Sequence, residues 1–352
     1  MRRFNYRHLP QKLFNGKVGN VNVKLYEDRG KLSSIRKMHP ELLDALTERA
    51  HLDNVCASSN IEGLYLKQSR MRKLLDGASP LNETEAQAIG YSNALHMIEE
   101  HTAEKPLQAS TILALYETLY AHRNLGRKSR YRKKDYMYVQ VDGHPQAVPV
   151  SPVPAFETPL VLGGACDSLL EAFDADACSP LILLAVFTVD LLCIRPFDEG
   201  NGRIARLFTN LLLMKAGFDI GRYASVDAII ERKPMDYYNA LNACVDGWDH
   251  AANDYEPYAL YWLNTLHQAY QELFDEIELN LCSGNSKAER VRIFVAQSPD
   301  PVTKRQLRDA FPDISEATIE NALAQMVKAF EAEKLGAGRS TSYLWREKRP
   351  GC

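Results

Sequence analysis

From Leu181 to Ile194 the chain is apolar except at Thr188 and Asp190, and it then turns at once into Arg195-Pro196-Phe197-Asp198-Glu199-Gly200-Asn201-Gly202-Arg203-Ile204-Ala205-Arg206. The run is shorter than the ~20 residues a membrane span needs. It therefore predicts a helix buried on every side in a protein core, which requires a shell of partner helices. Periodic apolar residues supply them. Leu42, Leu43, Leu46, Ala50, Leu52 and Val55 predict a helix from Pro40 that stops at Gly63, where a C-terminal cap belongs. Further helices are predicted over 66–75, 83–101 with Asn82 as N-cap, 107–123, 156–173, 203–216, 234–248 and 258–281. Residues 1–38 lack a clear period. Gly16 and Gly19 among Val18, Val21 and Val23 suggest a short hairpin between 5 and 25.

Composition narrows the class. The 352 residues carry 42 Lys and Arg against 45 Asp and Glu, a net charge of −3, with 45% apolar residues. That excludes a disordered chain and a whole-molecule electrostatic grip on nucleic acid. The seven cysteines are scattered and form no C-x-x-C pair. They indicate a reducing compartment and offer no zinc spacing. The start, MRRFNYRHLPQ, has positive charge but no apolar stretch, so a secretory signal is not expected. The expectation is a cytoplasmic protein with no membrane partner.

Two segments differ from the helical background. Arg127–Lys134 holds six basic residues in eight, the pattern of a solvated face that can also guide an acidic partner or phosphates. It leads into a strand pattern, Tyr136–Val141, an Asp142-Gly143 turn and a second strand, Ala147–Val150. Residues 286–346 read as three helices, two of them capped by Thr303 and Ser315, followed by a glycine-turned hairpin over 334–345. This is the pattern of a winged helix-turn-helix. Residues 286–352 hold 12 Lys and Arg and 9 Asp and Glu, a net of +3. Lys304, Arg305, Arg308 and Arg339 favour DNA. Glu316 and Glu320, at the start of the third helix, would face its phosphates. The balance tilts toward a protein partner or dimerisation.

The loop after the apolar run carries the chemistry. Backbone N–H groups of a glycine-rich loop opening a helix form an anion site, and Gly200 and Gly202 let backbone approach a phosphate. Arg203 and Arg206 stand three apart and can donate to one phosphate chain. Glu199 beside that anion is a candidate magnesium ligand. Together the parts describe phosphoryl or nucleotidyl transfer by positioning and electrostatics. The plainer reading is a capped helix–loop–helix junction with surface arginines.

The same stretch resembles the motif H-P-F-x-[DE]-G-N-[GK]-R-x-x-R of the Fic family and matches every fixed position but the first. The resemblance covers roughly residues 40–265. It implies a mainly α fold: a Fic-type helical bundle with a small β-hairpin flap, here followed by the winged helix. The implied division is 1–80 for an N-terminal region with an inhibitory helix, 81–282 for the Fic core and 285–352 for the winged module. The implied reaction is transfer of AMP from ATP, with Mg2+, to a protein hydroxyl. By match, Glu199 would hold magnesium, Gly200, Asn201 and Gly202 would form the phosphate cradle, and Arg203 and Arg206 would bind the triphosphate. The histidine that serves as general base is replaced by Arg195, and a guanidinium cannot accept a proton at neutral pH.

Ser58-Ser59-Asn60-Ile61-Glu62-Gly63 is similar to the family's inhibitory signature, [ST]-x-x-x-E-[GN]. That implies pairing of Glu62 with Arg206, where ATP would place its γ-phosphate. The 139–148 hairpin lies where the family has its flap, which would dock a protein target. Tyr237 and Tyr238 resemble a Y-Y-x-x-L helix lining the adenine pocket; core-packing aromatics are an equal reading. The expected function is an autoinhibited adenylyltransferase with transfer impaired at Arg195. The alternative is a non-catalytic nucleotide-sensing regulator acting through its winged helix on DNA or a partner, a second copy of the chain included.

Overall fold

The computed structural model describes residues 2–102, 104–123, 131–135, 153–281, 287–336 and 341–346. The 139–148 hairpin, the Ser283–Asn285 break, residues 127–130 of the basic run and Arg339 lie outside them. The chain divides into two compact units, Met1–Glu272 and Leu273–Cys352.

In the first unit the helices are α1 (Gly16–Met38), α2 (Pro40–Ile61), α3 (Gln68–Leu75), α4 (Glu83–His101), α5 (Ala109–Leu119), α6 (Thr158–Asp174), α7 (Pro180–Ile194), α8 (Asn201–Lys215), α9 (Val226–Arg232) and α10 (Pro234–Asn242). α11 (Glu256–Leu281) begins in this unit and runs across the division. α7 is the central rod, buried along its length except at the half-buried Pro180 and Leu192, and it packs against α6 and α8. Its one carboxylate, Asp190, is fully buried. Asp190 accepts hydrogen bonds of 2.7 Å from Tyr6 Oη, Trp248 Nε1 and Tyr255 Oη, and Arg2 Nη2 stands 3.5 Å away. A buried carboxylate is tolerated only with such a full set of donors. The set also ties the N-terminal segment to the core.

The expected hairpin between 5 and 25 is a helix instead. Asn15 caps α1 by accepting from the Lys17 and Val18 N–H groups, which outweighs the two glycines in the first turn. Val18, Leu25, Leu32 and Ile35 then fall on one buried face, whereas Val23 is exposed. Asn82 caps α4 as expected, accepting from the Glu85 N–H at 2.9 Å. Gly63 also ends α2 as expected. With φ at +76°, it lets its own N–H reach Asn60 O and the Leu64 N–H reach Ser59 O, both at 2.9 Å. This double bond pattern closes the helix end and fixes where Glu62 projects.

The second unit holds α12 (Lys287–Gln297), β1 (Val302–Thr303), α13 (Lys304–Ala310), α14 (Glu316–Lys328), β2 (Ala332–Leu335) and β3 (Ser342–Trp345). The strands form an antiparallel sheet ordered β1-β3-β2, with Tyr343 opposite both Val302 and Lys334. Thr303 and Gln306 form a reciprocal capping box, and Ser315 caps α14. Val291, Val295, Leu307, Ile319, Leu323 and Tyr343 make a core of the unit's own. Lys304 pairs with Glu320 at 2.6 Å and Arg308 with Glu316 at 3.1 Å, so α13 cations are neutralised by α14 carboxylates.

Candidate nucleotide-binding site

The loop 195–200 leaves the core at the end of α7. Arg195 caps that helix with φ at +46°, a left-handed backbone uncommon outside glycine. Gly200, at φ +73°, makes the second reversal into α8. Asn201 holds the loop between them: its Oδ1 accepts from the Phe197 N–H at 3.1 Å and its Nδ2 donates to Phe197 O at 2.9 Å. Asn201 thus shapes the loop through its own backbone. From outside, Arg132 adds a second clamp. Its backbone N–H donates to Pro196 O and its Nε to Arg195 O, at 3.0 and 2.8 Å, and its guanidinium also reaches Val153 O. The basic run is therefore not wholly a solvated face, because Arg132 is only 2% exposed.

α8 presents Arg203 and Arg206, both buried. Arg203 Nη2 donates to Tyr120 Oη at 2.7 Å. Arg206 is held from two helices. Its Nε donates to Ser58 Oγ at 3.1 Å, and its Nη2 to Ser58 O at 3.2 Å and to Glu62 Oε1 at 2.9 Å. Asp227 of α9 stands 3.5 Å from Nε and accepts from Tyr91 Oη of α4 at 2.9 Å. Burial works against the Arg206 charge, but Glu62 and then Asp227 outweigh it and hold the pKa above the ordinary arginine value. Burial pushes the Asp227 carboxyl up, while Arg206 pulls it down.

Glu62 also fills the space over the loop. A Cβ on Gly202 would stand 2.6 Å from Glu62 Oε1 and 3.4 Å from Arg206 Nη1. The glycine is what lets that carboxylate sit against the start of α8. Among the described residues, Arg203 Nε and Arg206 Nη1 are buried with no hydrogen-bond partner. Unsatisfied guanidinium donors beside a glycine cradle are what an anion would complete. Glu199 projects to the outside of the loop, where Arg123 pairs with it and with Glu83.

Tyr237 is buried in a ring cluster, 5.2 Å from Tyr238, 6.1 Å from Tyr258 and 6.0 Å from Tyr261, while Tyr238 is half-buried. A small cavity beside them is lined by Arg206, Asp227, Tyr237, Tyr258 and Trp262. Sequence reasoning missed Asp227, Tyr120, Tyr91 and Arg123. Ser225, which caps α9 by accepting from the Ala228 N–H, marks the helix but not what Asp227 faces.

The Fic/DOC family model matches residues 106–213, which span α5 to α8 and hold the loop and both arginines. The chain carries a Fic/DOC domain. Two relatives, both called protein adenylyltransferase Fic, come from Nematostella vectensis and Aedes aegypti. The first is 29% identical over 233 residues, covering 64% of this chain and 50% of that protein. The second is 26% identical over 217 residues, covering 60% and 40%. The chain spans about half or less of the length of these relatives. A crystal structure of a Fic family protein from Desulfovibrio desulfuricans G20 superposes with a TM-score of 0.56 at 19% identity, covering 94% of this chain and 97% of that one. The Fic domain thus sits in a mainly helical fold shared with that protein. No helix among the described residues is long and apolar enough to cross a membrane.

Proposed function

We propose that the chain binds ATP at the 195–206 loop as a Fic-type protein adenylyltransferase, held off by Glu62 and impaired in transfer at Arg195. The observation that carries this is the position of the Glu62 carboxylate, bonded to Arg206 and lying over Gly202. A carboxylate there satisfies the donor that a terminal phosphate would use and repels that phosphate. The relatives' names, the glycine cradle and the orphaned Arg203 and Arg206 donors support ATP as the nucleotide. Glu199 is an exposed carboxylate, which fits Mg2+ held chiefly by phosphates and water, and Arg123 must release it first. The metal would neutralise phosphate charge. Arg203 and Arg206 would orient the triphosphate, and the loop N–H groups would cradle it.

Titrating ATP with Mg2+ against the protein and against Glu62→Gly tests the reading. Tighter binding by the variant is expected. Equal, weak binding by both would overturn it.

Arg195 favours a second reading, a regulator that binds nucleotide without transferring it. In either case the second unit, with three helices and the β1-β3-β2 sheet, reads as a winged helix. The pairing of Lys304 and Arg308 with α14 carboxylates supports a protein partner or a second copy over DNA. A mobility shift on genomic fragments at low salt would reverse that preference.

A further inference from the structure

α2 carries a second set of groups two helical turns before Ser58. His51 of α2 and His96 and Glu99 of α4 place one ligating atom each within 4.8 Å of one another. His51 is 8% exposed, and its ring stacks on His96 with centroids 4.1 Å apart, so the exposed His96 ring must turn off this stack for both nitrogens to reach one ion. Its Nε2 lies 2.7 Å from Ser92 Oγ. A neutral ring that donates Nε2–H to Ser92 presents its lone pair at Nδ1. That Nδ1 is buried and has no hydrogen-bond partner among the described residues. His96 Nδ1 stands 3.7 Å from Glu99 Oε2, three residues along the same helix. His96 is exposed, which leaves a way in from solvent.

We propose that His51, His96 and Glu99 form a site for a divalent transition-metal ion of the zinc class, bridging α2 and α4. Two imidazoles and one carboxylate are a donor set such ions prefer, with water in the fourth position. Magnesium, which takes oxygen ligands, would not select it. The Ser92 bond is the outer-shell contact that fixes a ligating histidine's tautomer and orientation. Burial raises the Glu99 pKa above its ordinary value, against the pull of His96 and then Arg222, and an ion would add to that pull. An ion at this point pins the helix that ends in Ser58 and Glu62 against α4. The metal site itself does not depend on the transferase reading, because its occupancy is measured without nucleotide.

The test is titration of Zn2+ alone, in competition with a chromophoric chelator, against the full chain and against H96A and E99Q. Both substitutions are on α4 and leave the α2 core in place. One ion per chain is expected, weakened at least ~10-fold by either substitution. Co2+ in place of Zn2+ should show a spectrum without thiolate charge transfer, separating this site from Cys56 or Cys178. Zn2+ should also slow amide exchange over residues 51–62 in the wild type and not in H96A. Binding of equal affinity in H96A, a thiolate spectrum, or exchange unchanged by Zn2+ would mark an adventitious ion only and overturn the proposal.

Discussion

Glu62 Oε1 lies 2.9 Å from Arg206 Nη2, across 144 residues of sequence, and the pair is backed by Asp227 on the other side of the guanidinium. One buried cation is thus shared between two carboxylates on different helices. Only Glu62 is partly open to solvent. Asp227 serves as the permanent partner, while Glu62 is the one that can be exchanged for an anion.

Removing the exchangeable partner should therefore favour nucleotide. Glu62→Gly is expected to bind ATP with Mg2+ at least ~10-fold more tightly, a gain of about 1.4 kcal/mol. Isothermal titration reads it directly, and unchanged affinity would show that Glu62 does not compete with phosphate.

Removing the cation should do the reverse and also cost stability. Arg206→Ala leaves Asp227 buried without its charge partner, at an expected cost of ~3–5 kcal/mol. Asp227→Asn keeps an acceptor for Tyr91 and leaves Glu62 on Arg206, so it should cost less than half as much. Urea midpoints of the two variants decide this. Equal losses would mean the guanidinium, rather than the orphaned carboxylate, sets the penalty.

Arg195 is expected to limit transfer. Restoring a base with Arg195→His in the Glu62→Gly background should raise incorporation of label from radiolabelled ATP by ~10²–10⁴-fold over Glu62→Gly alone. Arg195→His by itself should gain far less, because Glu62 remains in place. A double variant that binds ATP but labels neither itself nor any lysate protein would leave the non-catalytic reading standing.

His51 should make stability fall in acid. Its folded pKa is depressed from 6.5 to about 4, by burial first and then by His96. Between those values the unfolded chain binds more protons than the folded one. Stability is therefore full above 6.5 and is lost as pH falls toward 4, by up to ~3 kcal/mol. Urea unfolding of chelator-treated protein across this window, compared with His51→Gln, isolates the effect. A variant with the wild-type acid slope would assign the loss to other groups.

Much of the helical core was legible in sequence. The α7 rod, the cap at Asn82 and the stop at Gly63 follow from local rules: apolar continuity, a short polar side chain, and a residue free to take positive φ. α1 was one exception, where valines and glycines pointed to a hairpin; α9 was not expected, and the helix expected over 234–248 stops at Asn242. The Asn15 cap and a buried face supplied by Val18, Leu25, Leu32 and Ile35 decided for a helix. Asp227 was missed for a different reason, since an aspartate on a short amphipathic helix carries no mark of what it faces. Arg132 looked like one member of a charged run, and only the carbonyls it meets make it a clamp.

The sequence by itself determined the kinds of groups available: a glycine loop, two arginines three apart, a carboxylate before a cap, and an arginine where a base is expected. Tertiary packing alone decided which of them meet. α2, α4, α8 and α9 converge so that Ser58, Glu62, Tyr91 and Asp227 surround Arg206. A buried guanidinium is stable only when its charge and donors are nearly all answered. That requirement cannot be read along the chain, because residues far apart in sequence meet it together.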